Sequence, residues 1–213
     1  DNFSEASLMI FQKSVQKVAA VVALCAAMGA GAAIAATDRI EPARTEDGLY
    51  TQSWFLDSFM DIGDDIEESA AEGKRLVLIF EQKGCIYCKK IHTEVLSDPK
   101  VNAYIRENFN VIQMNLWGDR EVTDLDGVAM SEKKIARRWG VTFTPTIIFL
   151  PESREGLDDK TTSEAAVAKM PGAFGKITFL SMFEWVKAKG YESDEHFQKY
   201  VMRKLEEREA AKK

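Results

Sequence analysis

Residues Leu76-Val77-Leu78-Ile79-Phe80 form an unbroken apolar run, and Cys85 and Cys88 follow it closely, separated by two residues. A run without polar alternation reads as a strand buried on both faces, which requires a sheet with helices above and below it. After Gly84, the residues Cys88, Ile91, Val95 and Leu96 fall at i, i+3, i+7 and i+8. That spacing predicts a helix that begins near the first cysteine and carries the second on its inner face. Cys85 is then the more exposed of the two.

The rest of the chain alternates in the same way. A helix is expected over 53–72, with Phe55, Phe59, Ile62 and Ile66 inward and Gly73 at its C-terminal end. Asp98-Pro99 reads as an N-cap followed by proline in the first turn, opening a helix with Val101, Ile105 and Phe109 inward. Val111–Leu116 is a second strand. Residues 117–130 read as an inserted polar loop whose acids form a solvated surface, and Ser131 caps a helix carrying Ile135 and Trp139. Thr146–Leu150 is a strand entered through Pro145, and one short strand is all that 151–176 suggests. Two helices close the chain, one with Ile177, Leu180 and Phe183, the other capped by Ser193 with Phe197, Val201 and Leu205 inward. The fold class is α/β: a central mixed β-sheet flanked by helices, with an extra C-terminal helix.

The chain has 213 residues, enough for one domain of ordinary size. With 28 Lys+Arg against 34 Asp+Glu its net charge is −6, which excludes a basic nucleic-acid binder, and 46% apolar content excludes a disordered chain. Three cysteines are too few for a disulfide scaffold. Val18–Ala36 carries no charge, is rich in alanine, follows Lys13 and Lys17, and ends in Ala33-Ile34-Ala35. These are the parts of a secretory signal peptide, with cleavage expected after Ala35 or Ala36 and Met9 as the true start. An uncleaved, membrane-anchoring segment is the rival reading; lipid attachment at Cys25 is disfavoured by Leu24 before it. The expected organisation is signal peptide 1–36, linker 37–52, folded domain 53–206 and a frayed tail 207–213. A periplasmic location is the expectation for the exported chain, and a membrane-anchored one if the 1–36 segment is uncleaved.

A C-x-x-C pair between a buried strand and a helix is a redox arrangement, because the helix N-terminus offers unpaired N–H groups and partial positive charge to a thiolate. Lys83, Lys89 and Lys90 strengthen that field while opposing the helix dipole, a local conflict of the kind found at working sites. The expected chemistry is thiol–disulfide exchange, with Cys85 attacking a target disulfide and Cys88 resolving the mixed disulfide. Two rivals stand beside it: an inert structural disulfide, and a zinc site in which Cys85, Cys88 and His92 supply three of four ligands. His92 reads as a partly exposed surface histidine rather than a general base, and His196 as structural. Tyr87 is expected near the site, and Trp117 either in the core or at the rim. Pro145 reads as a strand start or as a cis proline beside the thiols.

Phe80–Cys88, Trp139-Gly140-Val141 and Thr144-Pro145-Thr146, in that order, resemble the thioredoxin superfamily over residues 74–190. Residues Gly84–Lys90 and Trp117–Asp124 are most similar to the SoxW-type periplasmic thioredoxins of sulfur-oxidation clusters. The resemblance implies a thioredoxin fold, Cys85 and Cys88 as the catalytic pair, and a cis Thr144–Pro145 bond facing them. Substrate would be held by Tyr87, Thr144 and Pro145. A redox-active Cys85–Cys88 disulfide takes the place of a cofactor. Partners implied are oxidised periplasmic proteins as substrates and a membrane thiol transporter of the CcdA/DsbD kind as electron donor, with no nucleic acid and the protein acting as a monomer. The chain departs from cytosolic thioredoxins in having Gly84 and Ile79 where those carry tryptophan and a buried aspartate; Glu81 is the candidate substitute. The Cys85-Ile86-Tyr87-Cys88 motif with His92 also resembles DsbC-type isomerases. A disulfide oxidase or isomerase, and a binding module with an inert disulfide, remain the alternatives.

Overall fold

The computed structural model describes residues 39–211. The signal-peptide reading, with Met9, Lys13, Lys17 and Cys25, lies outside the described residues. Among the described residues no helix is long and apolar enough to cross a membrane.

Strand β3 (Arg75–Glu81) is buried along its whole length. It pairs in parallel with β4 (Phe109–Asn115) and antiparallel with β7 (Thr146–Phe149), and β8 (Ala168–Pro171) completes the sheet in the order β4-β3-β7-β8. Its missing alternation has a direct cause. Leu76, Leu78 and Phe80 enter one core, Val77 and Ile79 the other, so both faces of the strand are apolar. Helices α1 (Ile62–Ala71) and α4 (Glu132–Arg138) cover the first core through Ile62, Ile66 and Ile135. The second is covered by the cysteine helix α2 (Ile86–Lys90), which runs on as a π-helical turn Ile91–Val95, by α3 (Pro99–Asn108) and by α6 (Lys176–Lys187).

Several elements differ from the sequence reading. The helix expected over 53–72 begins only at Ile62: Met60 adopts φ 64°, and Asp61 caps the helix by accepting from the N–H groups of Gly63 and Asp64. Phe59 is consequently solvent-exposed, and Phe55 packs against the second core instead of the first. Within the segment read as a linker, β1 (Ala43–Arg44) and β2 (Tyr50–Thr51) pair as a hairpin. The inserted loop contains a second hairpin, β5 (Glu121–Thr123) with β6 (Ala129–Ser131).

Asp124, at the turn of that insert, is not solvated. It is 2% exposed and accepts from the Trp139 indole at 2.8 Å, the Thr162 amide at 2.7 Å and Arg138 at 2.9 Å. Thr162 opens the short helix α5 (Thr162–Ala165), capped by Thr161 and Glu164 acting reciprocally. The last helix, α7 (Phe197–Ala210), has His196 rather than Ser193 at its N-cap, and His196 is exposed. Ser193 instead donates to the Gly190 carbonyl at 2.7 Å. The helix continues past Glu206, where fraying is expected from the sequence, and Arg203 pairs with Glu195 ahead of the helix and with Glu207 one turn on, at 2.9 Å each.

Candidate active site

The antiparallel register sets Phe80 opposite Thr146, so the loop entering β7 stands beside the turn leaving β3. Gly84 makes that turn with φ 78°, a conformation that costs a residue without Cβ little. Cys85 follows as the N-cap of α2, and its sulfur accepts from the Cys88 amide at 3.0 Å. The two cysteines form a disulfide, with Cα atoms 5.2 Å apart. Cys85 is half-buried, whereas Cys88 is only 4% exposed. The Thr144–Pro145 bond is cis, and the Thr144 carbonyl oxygen lies 3.6 Å from the Cys85 sulfur. Cys85, Cys88, Thr144 and Pro145 are thus brought together.

Large side chains in the segments around these residues are exposed. Ile86 and Tyr87 of the motif and Phe143 of the proline loop are exposed, as is Trp117, whose indole donates to Gln82 at 2.6 Å. Trp117 is therefore rim and not core. The cations are partly occupied: Lys90 stands 6.0 Å from the centre of the Tyr87 ring and Lys89 5.9 Å from that of Tyr50, with Arg44 at 3.8 Å from the latter. Beside the disulfide is a cavity of about 190 Å³, with Leu49, Tyr50, Glu81, Cys85, Cys88 and Lys89 on its walls.

His92 corrects the sequence reading most sharply, because it is fully buried rather than at the surface. Its Nε2 lies 2.9 Å from Glu81 Oε2 and 3.1 Å from Oε1, and its Nδ1 lies 3.2 Å from the Gln52 amide nitrogen. Tyr50 and Phe55 cover its ring at centroid distances of 6.5 and 5.7 Å. Gln113 of β4 donates to Glu81 and, at 2.6 Å, to the Tyr50 carbonyl. Both ring nitrogens of His92 are thus engaged away from the sulfurs, which are bonded to each other. Among the described residues no cluster of His, Cys, Asp or Glu could hold a metal ion. Gln52, Tyr50 and Gln113 were missed by the sequence reading. The available signal was Glu81, a carboxylate closing an otherwise apolar buried strand.

Residues 62–170 match a family model described as a thioredoxin-like domain. A search of curated proteins found no match. Among solved structures, the chain is similar to a thioredoxin-fold protein from Helicobacter pylori, with 21% identity over 63% of this chain and 86% of that one and a TM-score of 0.49. A thioredoxin from Thermus thermophilus gives 22% identity over 64% and 95% of the two chains, with a TM-score of 0.46. The oxidised DsbD C-terminal domain from Neisseria meningitidis gives 14% identity over 62% and 97%, with a TM-score of 0.40.

Proposed function

The chain belongs to the thioredoxin-like domain family and its cysteine pair makes it a thiol–disulfide oxidoreductase, and from that premise we propose that it is an exported reductant of protein disulfides. The observation that carries the exchange chemistry is the asymmetry of the two sulfurs. Cys85 is half-exposed beside the Thr144 carbonyl, whereas Cys88 is buried behind it, so an incoming cystine meets one sulfur first.

In the reduced protein, the Cys85 thiolate attacks one sulfur of the target cystine and the other leaves as a thiolate. The cis-proline loop of Thr144 and Pro145 flanks the bound target segment, and Tyr87 supplies apolar contact next to it. Cys88, held three residues on in the same turn, then attacks Cys85, releases the second target thiolate and restores the disulfide. Two electrons pass to the target, and an external dithiol must return them.

The alanine-rich leader over 1–36 supports export to an oxidising compartment. Similarity of residues 84–90 and 117–124 to SoxW-type sequences supports oxidised periplasmic proteins, including those of sulfur oxidation, as targets. A membrane thiol transporter of the CcdA/DsbD kind is the proposed electron donor, and the protein acts as a monomer. Equilibration with a thiol redox buffer tests the direction of electron flow: a reduction potential near about −270 mV is expected, and one near about −120 mV would identify an oxidase and end the reductant reading. Cell fractionation tests location, with a periplasmic chain beginning at Ala36 or Thr37 expected and a cytoplasmic full-length chain contradicting export.

A further inference from the structure

Resting on the exchange reading above, we propose that the N-terminal hairpin β1–β2 and the cysteine helix α2 form a cation-lined subsite beside the disulfide. It receives an acidic side chain next to the target cystine, so that the protein selects acidic polypeptides.

The subsite is the cavity of about 190 Å³ that Arg44, Leu49 and Tyr50 of the hairpin share with Cys85, Ile86 and Lys89 of the cysteine segment. Pockets that hold a whole small molecule run to about 300–1,000 Å³. This one has room for a single side chain of a longer ligand, and its place beside Cys85 makes the natural occupant a residue of the chain being reduced. Leu49, Tyr50 and Ile86 offer apolar surface to the stem of that side chain. Arg44 and Lys89 offer charge to its end.

The hairpin sorts its charges between two sides. Glu46 and Asp47 line a separate cavity toward Asn115 and Asp119, where the Asn115 amide donates to Asp47 at 2.6 Å. Of the hairpin's charged residues, Arg44 alone lines the cavity beside the disulfide. It is fixed there by donating to the Gly48 carbonyl at 3.1 Å and to the Tyr50 hydroxyl at 2.7 Å, with its guanidinium 3.8 Å from the centre of the Tyr50 ring. Lys89 Nζ reaches within 5.9 Å of the same centre from the other element. The two cations are therefore no more than about 10 Å apart, about one Debye length at 0.1 M salt.

Lys83 adds a third charge at the hairpin turn. A side chain on Gly48 would meet the stem of Lys83 at 3.4 Å, so the lysine lies along that turn. Among the described residues no carboxylate forms an ion pair with Arg44, Lys83 or Lys89. The Tyr50 ring tempers the repulsion between Arg44 and Lys89 without neutralising it. Glu81 also stands on the cavity wall, but it is 1% exposed and its oxygens are engaged by His92 and Gln113. The exposed charges lining this cavity are thus all positive, in a chain whose net charge is −6. An incoming carboxylate relieves their mutual repulsion and a basic segment adds to it, so the same cluster attracts one class of target and rejects the other.

Three model peptides test the proposal, each holding one disulfide and differing only in whether glutamate, glutamine or lysine flanks the cystine. The rate constant for reduction by the dithiol form of the protein is divided by that for dithiothreitol, an uncharged dithiol, which removes the intrinsic reactivity of each peptide. The glutamate peptide is expected to exceed the glutamine peptide at least about tenfold at 0.01 M salt, where the Debye length is about 30 Å, with the lysine peptide slowest. The three should converge at 1 M salt, where that length is about 3 Å. Arg44→Gln should narrow the glutamate-to-glutamine ratio at least about threefold. Should that variant not fold, Lys83→Gln supplies the same comparison. A glutamate peptide no faster than the glutamine peptide, a preference unchanged at 1 M salt, or a variant that slows all three peptides in parallel or keeps the original ratio would overturn the proposal. Failure to reduce any of the three would instead sink the exchange reading itself.

Discussion

The amide of Cys88 donates to the sulfur of Cys85 across 3.0 Å, within the turn that joins the two residues. In the reduced protein the same donor faces the Cys85 thiolate, so negative charge is stabilised on the outer sulfur and not on the buried one. Cys85→Ser should therefore abolish reduction of insulin disulfides, and Cys88→Ser should retain the first attack and accumulate mixed disulfides that a non-reducing gel displays. Iodoacetamide alkylation against pH should place the outer thiol below the free value of about 8.5. Retained activity in Cys85→Ser, or trapping by Cys85→Ser and not by Cys88→Ser, would reverse the assignment.

Tyr87 is 60% exposed beside the disulfide, and the neighbouring Ile86 and Phe143 are exposed with it. Such a rim has nothing to do in the attack on a small disulfide, but it can cover a polypeptide on either side of its cystine. Tyr87→Ala is expected to lower kcat/KM for insulin about tenfold, the loss of a truncated aromatic contact worth roughly 1.4 kcal/mol, while the rate with an aryl disulfide stays within twofold. Parallel losses with both substrates would place Tyr87 in the chemistry instead of the recognition.

Much of this arrangement is legible in the sequence where a single element suffices to reveal it. The run Leu76–Phe80 declares a two-sided strand because each face meets its own core, and the spacing of Cys88, Ile91 and Val95 places the second sulfur inward. Thr144-Pro145-Thr146 marks the loop opposite. What could not be read depends on segments distant in sequence. His92 reads as a surface residue on its own helix; it is covered by Tyr50, Gln52 and Phe55, some 40 residues earlier, in and just after a hairpin whose strands of two residues are too short to show a period. Asp124 reads as one acid among several until Trp139 and Thr162 converge on it. Phe59 continues a helical spacing that the positive φ of Met60 interrupts. Periodicity reports one element against a core, and it is silent about which loop will cover it.

The convergence on Asp124 predicts a stability centre remote from the thiols. Its carboxylate serves Trp139 Nε1, the amide and hydroxyl of Thr162, and Arg138, so truncation leaves several buried donors without an acceptor. Each such donor costs about 1–3 kcal/mol. Asp124→Ala should lower the unfolding free energy by about 3–5 kcal/mol and Tm by roughly 10 °C, measured by urea and thermal denaturation. The reduction potential of the refolded variant should match that of the unmodified protein. A loss below about 1 kcal/mol would mean that water replaces the carboxylate at no cost and that the insert is not anchored through Asp124.

Asp65 gives the protein a pH dependence whose sign can be worked out. Its side chain is 4% exposed in the first turn of α1, and burial pushes its pKa up to about 6, with Glu68, Asp61 and Asp64 adding repulsion and a 3.0 Å hydrogen bond from Ser58 opposing them. An unfolded aspartate titrates near about 3.9, so the folded chain binds this proton more tightly. The contribution is fully present below about pH 4 and is lost as pH rises through about 6, a change of at most about 3 kcal/mol for a shift of roughly two units. Asparagine keeps an acceptor for Ser58 and carries no charge to desolvate. Asp65→Asn should therefore match the unmodified protein at pH 4, become the more stable of the two between pH 4 and 6, and hold a constant advantage above about pH 7. Urea midpoints across that range decide the matter. A difference that does not vary with pH would show that the Asp65 carboxyl titrates alike in the folded and unfolded chain.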